Sequence, residues 1–138
     1  MKLISDGDLS AALTTTREDS GIDLLLGIGG AAQGIIAAAA LQCLGGDIQG
    51  RLQPRNQEEA RQLRQLGISD FKKKYTAEEM AHGSVVFAAT GVTTGNYLHG
   101  VRFCKGGAIT NSVVMRSRSR TVRFIETHHH FEDHPEYN

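Results

Sequence analysis

Gly21-Ile22-Asp23-Leu24-Leu25-Leu26-Gly27-Ile28-Gly29-Gly30-Ala31-Ala32-Gln33-Gly34 is the stretch on which the fold turns. Residues 22–28 form a leucine-rich, β-branched run of buried-strand length, and an alanine-rich run follows the glycines. The spacing predicts a buried strand, a tight turn, and a helix over Ala31–Leu44 so apolar that protein should cover it on both sides. Residues 24–41 have the length of a membrane span, with Gln33 as their only polar member. Glycines 27, 29, 30 and 34 interrupt the run, so strand, turn and helix explain it better and no membrane is expected.

Upstream, residues 1–5 read as a short strand closing at Asp6-Gly7-Asp8. Asp8 is placed to cap a helix that carries Leu9, Ala12 and Leu13. Downstream, Gly45-Gly46 ends the long helix, and residues 47–53 alternate as a strand stopped by Pro54. Asn56 then caps an amphipathic surface helix over residues 57–66. Residues 71–75 form a basic loop, Thr76 and Glu79 a capping box for a helix over residues 76–82, and residues 84–89 another buried strand. Strand-like runs at 98–103, 108–115 and 121–126 are separated by Lys105-Gly106-Gly107 and by Ser117-Arg118-Ser119-Arg120, which predicts a β-hairpin region. The expected fold is an α/β three-layer domain, with a mixed, largely parallel sheet flanked by helices and hairpins at its C-terminal end. The domain should run over residues 1–127, leaving 128–138 as a flexible tail rich in histidine and acid.

A chain of 138 residues, 40% of them apolar, suffices for one domain and one core. Fifteen Lys+Arg balance fifteen Asp+Glu, which argues against a dedicated nucleic-acid binder. The balance is uneven along the chain: residues 1–50 carry two basic and six acidic side chains, residues 51–125 thirteen and five, and residues 126–138 none and four. Such a split either polarises a groove toward an anionic ligand or describes solvated faces. Cys43 and Cys104 have no partner spacing, so free thiols and a cytoplasmic location are expected. Arg116, Arg118, Arg120 and Arg123 read as a solvated strand edge, or more sharply as an effector-phosphate or subunit contact. His128, His129, His130 and His134 support no more than adventitious metal binding, because consecutive strand residues face opposite ways.

The glycine turn between strand and helix gathers backbone N–H groups at a positive helix end, which suits an anion. Three readings compete. Gly27, Gly29 and Ala32 satisfy a dinucleotide fingerprint, with Asp47 twenty residues beyond Gly27, but that acid opens the second strand instead of closing it. A phosphate-binding P-loop has its glycines at 29 and 34, but Ile35-Ile36 stands where Lys-Ser/Thr is required. Alternatively, small residues merely let strand and helix pack closely.

Residues 21–30, residues 37–44 followed by Gly45-Gly46-Asp47-Ile48-Gln49-Gly50-Arg51-Leu52, then Phe87-Ala88-Ala89-Thr90-Gly91-Val92-Thr93 and Val114-Met115-Arg116-Ser117, together resemble the class II fructose-1,6-bisphosphatases. These belong to the metal-dependent, lithium-sensitive sugar-phosphatase superfamily. The resemblance runs from about Leu3 to Thr127 and covers the carboxyl-terminal part of such an enzyme, somewhat under half of it. It implies that Asp6-Gly7-Asp8 grips the sugar of fructose 1,6-bisphosphate or a related sugar phosphate, and that Gly30 meets the substrate through its backbone. Gln33 falls where the family places a glutamate ligand of Mg²⁺ or Mn²⁺. A neutral amide there weakens the ion site, since hard cations depend on carboxylates. The loop after Thr90 carries Thr94 and Asn96 where the family usually has an acid. The family's Asp-Pro-x-(Asp/Glu)-Gly-Thr element has no counterpart, because the prolines are Pro54 and Pro135. The resemblance therefore implies gluconeogenic hydrolysis of fructose 1,6-bisphosphate by the intact enzyme, but no catalytic residues and little turnover in this chain alone. A homo-oligomer, or a separate chain carrying the amino-terminal half, is the expected partner. A non-catalytic sugar-phosphate-binding or oligomerisation module is the alternative.

Overall fold

The computed structural model describes residues 2–4 and 7–131. Residues 2–4 carry no regular structure, and the rest of the expected opening strand lies outside the described residues. Helix α1, Asp8–Thr14, is entered from Gly7, which takes a left-handed φ of 78° and accepts the Ala11 N–H through its carbonyl at 3.0 Å. Asp8 is thus the first helical residue and not the cap, a position where its charge still suits the positive helix end.

A 3₁₀ turn at Glu18–Ser20 leads into residues 21–30, and here expectation and structure part. The predicted buried strand at 22–28 does not form. Leu24, Leu26 and Ile28 are 69%, 82% and 88% exposed, and residues 23–29 make no hydrogen bond with any described residue. The run is apolar as expected, but a strand exists only where a neighbour takes up its N–H and C=O groups, and no described segment does so.

Helix α2, Ala31–Leu44, has the predicted bounds and ends at Gly45, whose left-handed φ of 78° lets its N–H reach the Leu41 carbonyl. It buries Ala37, Ala38, Ala40, Leu41 and Cys43 but leaves Ile35 and Ile36 about half exposed, so protein covers it on one side and not all round. The strand expected over residues 47–53 shrinks to β1, Gln49–Gly50. Helix α3, Gln57–Gln65, is capped as expected by Asn56, whose Oδ1 accepts the Glu59 N–H at 2.9 Å. Strand β2, Tyr75–Thr76, pairs antiparallel with β1 and runs into α4, Ala77–Met80, through the predicted Thr76/Glu79 capping box.

The main sheet is built from β3 (Val86–Thr90), β4 (Arg102–Cys104), β5 (Gly107–Arg116) and β6 (Thr121–His130). Strand β5 is its spine. One edge pairs with β3 from Val86↔Arg116 to Thr90↔Ser112 and then with β4 from Arg102↔Ile109 to Cys104↔Gly107. The other edge pairs with β6 along all ten residues. Every pairing among the described residues is antiparallel, which corrects the largely parallel sheet. The run at 22–28 that would have begun a parallel βαβ unit stays unpaired, and hairpin-joined strands pair antiparallel.

Helix α2 lies on the sheet face that carries Phe87, Val113 and Met115, and these join Leu13, Ala40, Cys43 and Tyr97 in the core. On the opposite face Val86 is exposed. Among the described residues the arrangement is a two-layer α/β one, not the three layers expected. Burial pushes the Cys43 thiol up, whereas Cys104 is exposed, and both cysteines are free. His128–His130 belong to β6, held by the ladder to Gly107–Ile109, and His129 Nε2 lies 3.0 Å from Thr110 Oγ1. Residues 132–138 lie outside the described residues.

Candidate functional site

The glycine turn delivers the chain into α2, and α1 brings Asp8 beside it. A Cβ placed on Gly29 would stand 3.0 Å from Asp8 Oδ2 and 3.5 Å from Gln33 Oε1, so only glycine leaves both side chains where they are. Two loops that are distant in sequence, Gly7-Asp8 and residues 29–33, are thereby brought together. Asp6 lies outside the described residues.

Gln33 points back at its own helix start, where its Oε1 accepts the Gly30 N–H at 3.1 Å. This is one arm of a capping box, and glycine at the cap has no side chain to supply the other. The Gly30 N–H, expected at the substrate, is therefore already occupied. The first main-chain bond of the helix runs from Gly34 N–H to the Gly30 carbonyl at 3.1 Å, leaving the N–H groups of Ala31, Ala32 and Gln33 ahead of the ladder. Three such donors at the start of a fourteen-residue helix form an anion-favouring end.

The donors at hand do not fit a Mg²⁺ or Mn²⁺ centre. Asp8 is the one described carboxylate against the turn, the Gln33 oxygen is neutral and engaged, and no group of three His, Cys, Asp or Glu that could hold an ion occurs among the described residues. The loop after β3 explains one departure noted in the sequence. Thr94 Oγ1 accepts the Gly100 N–H at 3.0 Å, and the Val101 N–H to Val92 carbonyl bond at 3.1 Å closes the same loop, so Thr94 has a structural task. That loop reaches α1 at Gly95, where an added Cβ would stand 3.3 Å from Ser10 Oγ. The Ser10 hydroxyl is buried there with no described partner, a feature that spacing alone could not reveal.

The dinucleotide reading does not survive. Its first strand is absent, and Asp47 Oδ1 accepts the N–H of its neighbour Ile48 at 2.8 Å. Among the described residues no helix is long and apolar enough to cross a membrane.

A helix-start anion site beside a carboxylate, framed by glycines, is chemistry suited to a sugar phosphate. The chain belongs to the family described as bacterial fructose-1,6-bisphosphatase, glpX-encoded, which it matches over residues 1–129. It is 49% identical over 142 residues to the D-fructose 1,6-bisphosphatase class 2/sedoheptulose 1,7-bisphosphatase of Synechococcus sp. strain JA-3-3Ab, covering 94% of this chain and 41% of the relative. The protein of the same name from Synechococcus elongatus is 45% identical over 147 residues, with 96% of this chain and 42% of the relative covered. The chain thus spans about two-fifths of the length of these relatives.

Proposed function

We propose that this chain is the sugar-phosphate-binding portion of a class 2 fructose-1,6-bisphosphatase, related to the carboxyl-terminal part of such an enzyme and without turnover of its own. The observation that carries the reading is the meeting of Asp8 with Gly29, Gly30 and Gln33 at the start of α2. The carboxylate of Asp8, with Asp6 and Gly7 beside it in sequence, accepts from sugar hydroxyls, while the first-turn N–H groups of α2 receive the phosphate. Engagement of the ligand frees the Gly30 N–H by turning Gln33 away from it.

Hydrolysis of the phosphate ester of fructose 1,6-bisphosphate, the gluconeogenic reaction, needs a divalent metal, Mg²⁺ or Mn²⁺, and an in-line water. In this proposal the acidic ligands come from a polypeptide equivalent to the rest of the relatives' length, joined to this chain or separate from it. The exposed apolar run at 24–28 supports such a partner, because isolated domains rarely leave so many large apolar side chains in one stretch to water. A cytoplasmic homo-oligomer is the assembly that follows.

Calorimetry with fructose 6-phosphate and fructose 1,6-bisphosphate, run beside a phosphate-release assay with Mn²⁺, tests the proposal. Saturable binding without turnover is expected, and Gln33→Glu alone leaves turnover at background. Steady-state release well above background in a host-phosphatase-free preparation refutes the inactivity, and absence of binding refutes the site.

A further inference from the structure

The tip of the β5–β6 hairpin is built from Ser117, Arg118, Ser119 and Arg120, and Ser117, Arg118 and Arg120 border a shallow, open pocket of about 400 Å³. Ser117 is fixed there by Val85: its N–H donates to the Val85 carbonyl at 2.9 Å, and its Oγ accepts the Val85 N–H at the same distance. With its oxygen engaged in this way, the Ser117 hydroxyl proton is free to donate into the pocket. Arg120 holds a left-handed φ of 49° at the turn, and its N–H reaches the Ser117 carbonyl at 3.3 Å. Neither the Arg118 nor the Arg120 guanidinium pairs with any described residue, and the Ser84 hydroxyl beside them also lacks a described partner.

The opposite wall is held by fixed groups. Gln42 Nε2 donates to the carbonyls of Ala77 at 3.0 Å and Ala81 at 2.7 Å. The one acid, Glu78, is turned to His82, with Oε1 at 3.2 Å from Nδ1, and to Gln42. The lining therefore offers two planar cationic forks and two hydroxyl donors against a single carboxylate that has partners of its own. Guanidinium forks match the oxygens of a phosphate bidentately, and an open depression leaves room for the group to approach them.

We infer that this pocket is a second anion site, which binds the phosphate group of a small phosphomonoester through Arg118, Arg120, Ser84 and Ser117. It is separate from the site at the start of α2. Gln42 lies nine residues beyond Gln33 on one helix, about 14 Å along the axis, and the two sites share no residue. The inference stands whether or not the α2 site binds sugar phosphate.

The test is a titration of the full, ¹⁵N-labelled chain with inorganic phosphate at constant ionic strength, read at each backbone amide. Saturable shifts at Ser84 and over residues 117–120 are expected. Affinity read at those amides falls at least tenfold in the Arg118→Gln/Arg120→Gly variant, in which glycine suits the positive φ and keeps the turn, and stays within twofold in Lys105→Ala. The unchanged spectrum of the remaining residues reports that the variant is folded. No saturable shift at the hairpin, equal affinity in the double variant, or shifts confined to residues 29–34 each overturn the inference, the last by assigning the phosphate to the α2 site alone.

Discussion

Gly29 shows how a single missing methyl group organises a site. Replacing it with alanine puts a carbon 3.0 Å from Asp8 Oδ2, tighter than most real contacts, so the carboxylate must give by a few tenths of an ångström. Gly27, two residues earlier, has nothing within 4 Å of the same position. Gly29→Ala is therefore expected to weaken fructose 6-phosphate binding by about tenfold, or about 1.4 kcal/mol, while Gly27→Ala leaves it within a factor of two. Calorimetry on the two variants checks this, and equal losses would mean that the turn acts through flexibility and not through Asp8. At this scale the sequence was informative about which residues meet but not about what they do when they meet. Gln33 stands where the resemblance implies a metal-ligating glutamate. Its bond back to the Gly30 N–H depends on a side-chain torsion that no spacing encodes.

Elements were legible where their stabilisation is local. α2 was read to the residue, and α3 and α4 were found through Asn56 and Thr76, because caps and glycine stops act within a few residues. Strands depend on partners far away in sequence, and there the structure departs from expectation. Residues 22–28 have strand composition and no strand, and β6 runs on to His130 because β5 is there to pair with it, although three histidines resemble a tail. The central strand also sets the stability. Met115 and Val113 are fully buried at the junction of β3, β5 and α2. Met115→Ala is expected to cost about 2–4 kcal/mol, measurable as a lowered midpoint in urea, whereas Val86→Ala on the exposed face stays within about 0.5 kcal/mol. A Met115 variant of unchanged midpoint would place the core elsewhere.

For the molecule as a whole, 138 residues with 40% apolar content are enough for one core, and the apolar residues are only partly used in it. Leu24, Leu26 and Ile28 on the glycine run, Ile35 and Ile36 on α2, and Phe103 and Phe124 on the sheet all face solvent. Composition counts apolar residues without knowing how many will find cover within the same chain, which is why the buried strand was expected. The expected physical outcome is association. Light scattering across a concentration series is expected to show assemblies larger than one chain, and Leu24→Lys/Leu26→Lys is expected to shift the distribution toward the monomer by removing apolar area without touching the core. A wild-type chain that stays monomeric at high concentration would contradict the need for cover.

The open run between α1 and α2 also bears on how long the chain survives in a cell. Proteases and holdase chaperones both take extended backbone whose amides are not already engaged, and residues 23–29 offer seven such residues with leucines to grip. Until something lies against that ribbon, capture of this one stretch is the expected route to the chain's degradation, with the rest of the fold still intact.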